Sequence, residues 1–424
     1  MPGRRARLLR FKVVNLGCKV NRVESDAFER QLAGSGMTPC ASDADIVVVN
    51  TCTVTAVAEK KTRKAVRQSL AANPRAKVVV TGCAAVQDPS VYAGMSDRVE
   101  VVAKWDLEKR LGALAEEAVR TDAVPAHGTP GSPCGPGGAL LPSCDASRSF
   151  LALGRARVGI KVQDGCANEC AYCIVHKLRG PEVSTDPQSV LDDAHEAASL
   201  GASEIVLAGI NLGRYDFGGL RLDGLLSLLL DEGPDCRIRL SSIEPDNLDD
   251  AILRVVASSD GRICRHFHLP LQSGSSKVLR EMGRRYSAED FVDLVAKVRA
   301  LMPSASISTD VIAGFPGETE DDFMRTFEVC EACGFSKMHV FPYSEREGTP
   351  AAARADQVSR DVRLRRAEAL RELGARLRKA DLASRRGSVE LAVVEDETWC
   401  TTESYHDVHA PAGAAPGALV EVTL

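Results

Sequence analysis

The chain has 424 residues, a formal net charge of −5, 44% hydrophobic and 26% charged residues, and 14 cysteines. That length exceeds one small core and predicts roughly two to four domains, and the composition is that of a globular enzyme rather than a disordered or fibrous chain. The mild acidity excludes a globally basic nucleic-acid binder, so any such contact must come from local patches.

The opening stretch, "MPGRRARLLRFKVVNLGCKVN", is basic, and its apolar run is short and broken by Lys12 and Asn15. No signal peptide and no membrane span is predicted. A cytoplasmic, reducing location is therefore expected, where this many cysteines points to metal ligands rather than a disulfide framework. "FKVVNL" (11–16) reads as a buried strand and "RVESDAFERQLAGSG" as a helix ending near Gly34 and Gly36. "ADIVVVNT" (44–51) is a second strand, "AEKKTRKAVRQSLAANP" a basic helix closed by Pro74, and "AKVVVTG" a third strand. This alternation predicts a doubly wound α/β domain over residues 1–118. Residues 119–150 contain "VPAHGTPGSPCGPGGALLPSC", too rich in Pro and Gly for a helix or central strand, and read as a linker. Cys134 and Cys144 fall there and receive no role.

A second alternation fills residues 151–385. "RVGIKV", "SEIVLAGI", "RIRLSSI", "RHFHLPL", "SISTDVIAGF" and "KMHVF" read as strands separated by helical segments. Six such units predict a parallel (β/α)6 partial barrel, with its active site at the C-terminal strand ends. Residues 351–386 read as one long Arg-rich helix. Residues 386–424 switch to short alternating strands with Gly/Pro turns, the pattern of a small β-barrel.

"QDGCANECAYCIVHKLRG" places Cys166, Cys170 and Cys173 just after the first strand of the barrel-like segment. Three thiolates can hold three irons of a [4Fe–4S] cluster and leave the fourth iron without a protein ligand. The rival is a zinc site that recruits His176 as fourth ligand, and the loop's position after the first of six strands disfavours it. Cys18, Cys52 and Cys83 follow the three strands of the first domain, so three parallel strands would bring them to one edge. They read as ligands of a second cluster rather than as three core cysteines. Cys330 and Cys333 form a CxxC near a helix end, where core packing is the expectation.

In combination, "NLGCKVNRVES", "NTCTVTAVAEKKTRKAVR", "IKVQDGCANECAYCIVHKLRG", "RLSSIEPD", "HLPLQSGSSKVLREMGRRY", "STDVIAGFPGETEDDF" and "HVFPYSEREGTPAA" resemble the radical S-adenosylmethionine (SAM) methylthiotransferases. The resemblance covers nearly the whole chain outside the 120–150 insert. It implies an N-terminal methylthiotransferase domain, a radical-SAM domain and a C-terminal TRAM domain, here short. It also implies two [4Fe–4S] clusters and SAM as cofactors. "GCKVN" and "NTCTVT" resemble the branch that methylthiolates C2 of N6-threonylcarbamoyladenosine at position 37 of tRNA. Isopentenyladenosine-37 tRNA, a ribosomal-protein aspartate, or a non-enzymatic metal-stabilised RNA-binding role are the alternatives.

The resemblance further suggests SAM contacts from Tyr172 beside the adenine, Gly209 and Asn211 at the amino group, Glu244 near the ribose, and Gln272 and Ser273 after the fourth strand. Gly314 would admit the adenine, and Arg284 is a candidate for the SAM carboxylate. Partners implied are the tRNA anticodon stem-loop and an electron donor such as flavodoxin or ferredoxin, acting on a monomer. Phosphate contacts are expected from Lys60, Lys61, Arg63, Lys64 and Arg67 on one helix, and from Arg363, Arg365 and Arg366 on another.

Overall fold

The computed structural model describes residues 8–52, 56–122 and 156–424, and the chain divides into two compact units, Met1–Leu153 and Gly154–Leu424. In the first unit, five parallel strands lie in the order Thr38–Pro39, Arg10–Asn15, Ile46–Thr51, Lys77–Gly82, Val99–Val101. The uninterrupted valine runs are explained by burial on both faces. Val47, Val49, Val78 and Val80 pack with Val66 of the helix Ala56–Ala72. Their neighbours Ile46, Val48 and Val79 point the other way, onto Leu32, Leu107 and Leu111 of the helices Lys19–Gly34 and Leu107–Asp122. The sheet is therefore doubly wound, as expected. Strand order reverses direction between Arg10–Asn15 and Ile46–Thr51, which makes their C-terminal ends the topological switch point where such sheets bind ligands. The last helix runs to Asp122, past the expected boundary at 118. The rest of the expected linker, with Cys134 and Cys144, lies outside the described residues.

In the second unit the six expected strands are Arg157–Lys161, Glu204–Ala208, Arg237–Leu240, His266–His268, Ser306–Ala313 and Lys337–Pro342. Each runs parallel to the next in chain order. The first three and last three form separate hydrogen-bonded sets, joined by the bridges Ile238↔Ile263 and Ser242↔His268. The helices Ala288–Leu301 and Glu320–Cys333 each start on a capping box, from Ser287 with Asp290 and from Thr319 with Asp322. Cys330 and Cys333 are buried at the end of the second of these, which bears out the core reading. The long helix spans Arg360–Ser384, shorter than the 351–386 stretch because Pro350–Ala353 form a 3-10 turn.

The C-terminal segment forms a four-stranded antiparallel sheet, ordered Asp407–His409, Trp399–Thr402, Val389–Val394, Leu419–Thr423. It docks on the N-terminal ends of the parallel strands. Arg237 and Arg239 donate to the carbonyls of Leu391, Thr402 and Glu403 at 2.5, 3.0 and 2.9 Å. The buried Glu204 carboxylate holds both guanidiniums, each Nε at 2.7 Å. The Tyr405 ring stacks on His266 and lies under the cations of Arg157, Arg239 and Lys337.

Candidate active site

In the first unit the strand register aligns Asn15 with Asn50, Asn50 with Thr81 and Thr51 with Gly82. Cys18, Cys52 and Cys83 therefore leave the same edge of the sheet within one to three residues of the last paired positions. Cys52 and Cys83 are buried there and Cys18 is exposed. Polar side chains stitch the three exits together. Asn21 Nδ2 donates to the Thr51 carbonyl at 2.9 Å and to Asn50 Oδ1 at 3.1 Å, and the Cys18 thiol donates to Asn21 Oδ1 at 3.3 Å. The Thr51 hydroxyl donates to the Thr81 carbonyl at 2.6 Å and accepts the Ala85 N–H at 3.2 Å. Gly82 has φ +91°, and a Cβ there would lie 2.4 Å from the Thr51 carbonyl oxygen, so only glycine lets Cys83 follow so closely. Asn21, Asn50 and Thr51 were not singled out from the sequence. The signal for Asn50 and Thr51 is the polar pair that ends the apolar run "IVVVNT".

In the second unit Cys166, Cys170 and Cys173 lie on a loop that closes on itself. Gly165 (φ +76°) would place a Cβ 1.9 Å from the Pro181 carbonyl, and the Cys166 N–H donates to the Gly180 carbonyl at 3.2 Å. Each sulfur has a donor: the N–H of Asn168 on Cys166 and of Val175 on Cys173, both at 3.4 Å, and Arg284 Nη1 on Cys170 at 3.3 Å. Burial pushes the Cys166 thiol up and the Cys173 thiol up to about 12. A thiol in that environment becomes a thiolate at neutral pH when a metal cation takes the place of its proton. A donor-rich, desolvated trio of sulfurs fits a metal cluster.

Arg284 is not an exposed helix-end residue. Its guanidinium is 3% exposed and ion-paired with Glu244. It also donates to the Tyr172 hydroxyl at 3.4 Å and the Tyr286 hydroxyl at 3.1 Å. Tyr286 in turn donates to the Pro270 carbonyl at 2.7 Å. The cysteine loop is thus tied to the third and fourth strand ends through Glu244, Arg284 and Tyr286. Tyr172 packs against the buried cluster that includes Phe315 and Tyr343.

The other expected cofactor contacts divide in two. Gly209 and Asn211 follow the second strand, with the Asn211 N–H on Gln163 Oε1 at 2.9 Å. Asn211 Nδ2 is buried with no hydrogen-bond partner, a donor whose burial is costly unless a ligand accepts from it. Gln272 adopts φ +66°, held there by its N–H on the Asp310 carbonyl at 2.8 Å; a non-glycine residue in that region carries strain of the kind found at ligand sites. By contrast, the Ser273 hydroxyl is spent internally on Thr326 and the Ser275 N–H. Gly314 faces Arg363, whose Cγ would lie 2.5 Å from an added Cβ, so this glycine accommodates an arginine.

The two basic patches also differ. Lys60, Lys61, Lys64 and Arg67 are exposed, while Arg63 pairs with Glu59 at 2.8 Å. The expected Arg363–Arg365–Arg366 patch is corrected by the structure. Arg363 is buried against Glu345 at 3.1 Å, and Arg366 against Glu318 at 2.7 Å and Glu320 at 2.8 Å. Arg365 alone of the three is exposed, at 70%. Helix positions facing the sheet buried two of the charges, and carboxylates already occupy their guanidiniums.

Residues 160–330 match the profile of the Radical SAM superfamily and residues 10–103 that of the Uncharacterized protein family UPF0004. The chain is 37% identical over 400 residues to threonylcarbamoyladenosine tRNA methylthiotransferase MtaB of Bacillus subtilis (strain 168), spanning 92% of this chain and 85% of that one. It is 33% identical over 393 residues to the tRNA-2-methylthio-N(6)-dimethylallyladenosine synthase of Clostridium novyi (strain NT), spanning 87% and 83%. Among solved structures, the radical S-adenosylmethionine methyltransferase TsrM of Kitasatospora setae, with cobalamin and a [4Fe–4S] cluster bound, has a TM-score of 0.53 at 16% identity, over 82% of this chain and 77% of that one. That last likeness is one of fold.

Proposed function

The chain belongs to the radical-SAM tRNA methylthiotransferases, and from that premise we propose that it adds a methylthio group to C2 of N6-threonylcarbamoyladenosine at position 37 of tRNA. The observation that carries the choice of nucleoside is the 37% identity, over 92% of the chain, to an enzyme named for that substrate.

We assign one [4Fe–4S] cluster to Cys166, Cys170 and Cys173 and a second to Cys18, Cys52 and Cys83, three thiolates each. When bound, the first with SAM supplies the one-electron chemistry that opens an unactivated C–H bond, and the second supplies sulfur. The chain's own residues prepare the sites. Arg284 places a positive charge on Cys170 Sγ, and the Asn168 and Val175 amides donate to the other two sulfurs. Glu244 neutralises Arg284 and fixes its direction, so both act as positioning residues for the cluster loop. The buried Asn211 amide would offer its unpaired donor to the polar end of SAM, on a turn that Gly209 lets pack closely on Gln163 and Leu212. Tyr172 would present its ring to the adenine, and Gln272, with its strained backbone, lies at the fourth strand end where it would meet the same cofactor. Ser273 positions the fourth strand's exit, and Gly314 serves the packing of Arg363.

The substrate base must be splayed from its loop to reach these groups, as an anticodon loop permits. Lys60, Lys61, Lys64 and Arg67 supply phosphate contacts, and the antiparallel sheet of residues 389–423 acts as a short TRAM-like RNA-gripping module. Flavodoxin or ferredoxin supplies electrons, and the protein works as a cytoplasmic monomer. Among the described residues no helix is long and apolar enough to cross a membrane.

The test is mass spectrometry of tRNA nucleosides from cells lacking this protein. Loss of 2-methylthio-N6-threonylcarbamoyladenosine is expected, with rescue by the parent chain but not by Cys166→Ala/Cys170→Ala/Cys173→Ala. Persistence of that nucleoside with no second enzyme present, and disappearance of the dimethylallyl counterpart, would move the assignment to the other tRNA branch.

A further inference from the structure

The inner face of the six-stranded sheet carries a cluster that neither cysteine trio uses. On the strand Ser306–Ala313, side chains alternate, so Ser306, Ser308, Asp310 and Ile312 share one face. Asp310 is directly opposite His339 on the next strand, and Ser308 is opposite His268 on the other side. The ligand atoms of His268, Asp310 and His339 all lie within 4.8 Å of one another. His268 is buried, and the other two are half-buried. One step further along the same face, Ile312 packs against the buried cluster of Phe315 and Tyr343 that Ala171 and Tyr172 of the cysteine loop also pack against.

We propose that His268, Asp310 and His339 hold one divalent transition-metal ion of the zinc(II) or iron(II) type. The donor set is two imidazoles and a carboxylate, the combination such ions take with coordination positions left open. His268 Nε2 and Asp310 Oδ1 are 3.4 Å apart. Two donors about 2.1 Å from a tetrahedral ion stand roughly that far apart. The supporting contact is in place: His268 Nδ1 is 3.0 Å from Ser308 Oγ. With the ion on Nε2, the imidazole proton sits on Nδ1 and donates to that hydroxyl, which also lies 3.1 Å from His266 Nε2; a metal-bound histidine is held in this way by the donor on its other nitrogen. His339 makes the third donor, and its ring stands edge-on to His268 with centroids 5.7 Å apart. A proton alone could sit between His268 and Asp310, but a proton has no use for a third donor. The inference stands apart from the choice of tRNA nucleoside.

The experiment uses the cluster-reconstituted full chain, treated anaerobically with one equivalent of zinc(II), desalted, and analysed for zinc and iron by plasma mass spectrometry. About one zinc per chain is expected in the parent, with zinc affinity at least about tenfold weaker in Asp310→Asn and in His339→Gln while iron content is unchanged. Zinc-edge X-ray absorption should show nitrogen and oxygen neighbours only. No zinc in the parent, equal zinc in both variants, or sulfur neighbours at the zinc edge would each overturn the proposal. Circular dichroism and the iron count identify a variant that has failed to fold, and the absorption edge of the parent then decides the matter.

Discussion

Glu204→Gln tests how the C-terminal sheet is held on the parallel strands. Glu204 is fully buried, and burial alone would raise its carboxyl, but the Arg239 and Arg237 guanidiniums outweigh that and hold it at about 2, against an ordinary value of 4.5. That drop, at 1.36 kcal/mol per pH unit, corresponds to roughly 3 kcal/mol of folding stability. Removal of one member of a buried ion pair independently costs about 3–5 kcal/mol, because the stranded charges stay desolvated. Both arginines bind carbonyls of the C-terminal sheet, so the loss falls on its docking. Hydrogen exchange read by mass spectrometry on Val389–Val394 and Trp399–Thr402 should show protection at neutral pH lowered about a hundredfold, the equivalent of roughly 3 kcal/mol. The folded carboxyl is depressed, so its contribution is complete above 4.5 and is lost as pH falls towards 2. The gap between parent and variant should close across that window. Unchanged protection at neutral pH, or a gap that persists in acid, refutes the reasoning.

Arg284→Met strands Glu244 and removes the donor on Cys170, so it should lower the iron bound after reconstitution from about eight to about four per chain. An unchanged iron count means that the ion pair is irrelevant to the loop. In cluster-free protein, Cys18 is exposed and Cys173 is pushed up to about 12; iodoacetamide should therefore alkylate Cys18 first, with the Cys173 rate rising about tenfold per pH unit up to that value. Equal rates at neutral pH would contradict the burial argument. Replacing Lys60, Lys61 and Lys64 with Ala should reduce the slope of log affinity for tRNA against log salt by roughly 2 to 3; an unaltered slope makes them a solvated helix face.

The sequence by itself determined the two alternations of strand and helix, because each run of valine and isoleucine is a local signal of a strand buried on both faces. It also determined that Cys18, Cys52 and Cys83 share a sheet edge, since each follows a strand of a parallel sheet and register does the rest. The cysteine loop after Arg157–Lys161 and the core placement of Cys330 and Cys333 were legible for the same local reason. Tertiary structure decided what depends on partners far along the chain. Arg363 and Arg366 read as surface cations until the helix Arg360–Ser384 turned them onto Glu345 and Glu318. Glu204 finds its arginines on the next strand, and those arginines find their carbonyls more than 150 residues away. The Ser273 hydroxyl finds Thr326, and Gly314 finds Arg363, both far along the chain. His268, Asp310 and His339 sit on three different strands, and only strand register sets them face to face. Short-range periodicity encodes which side of an element is buried; it carries no record of which distant group will be waiting there.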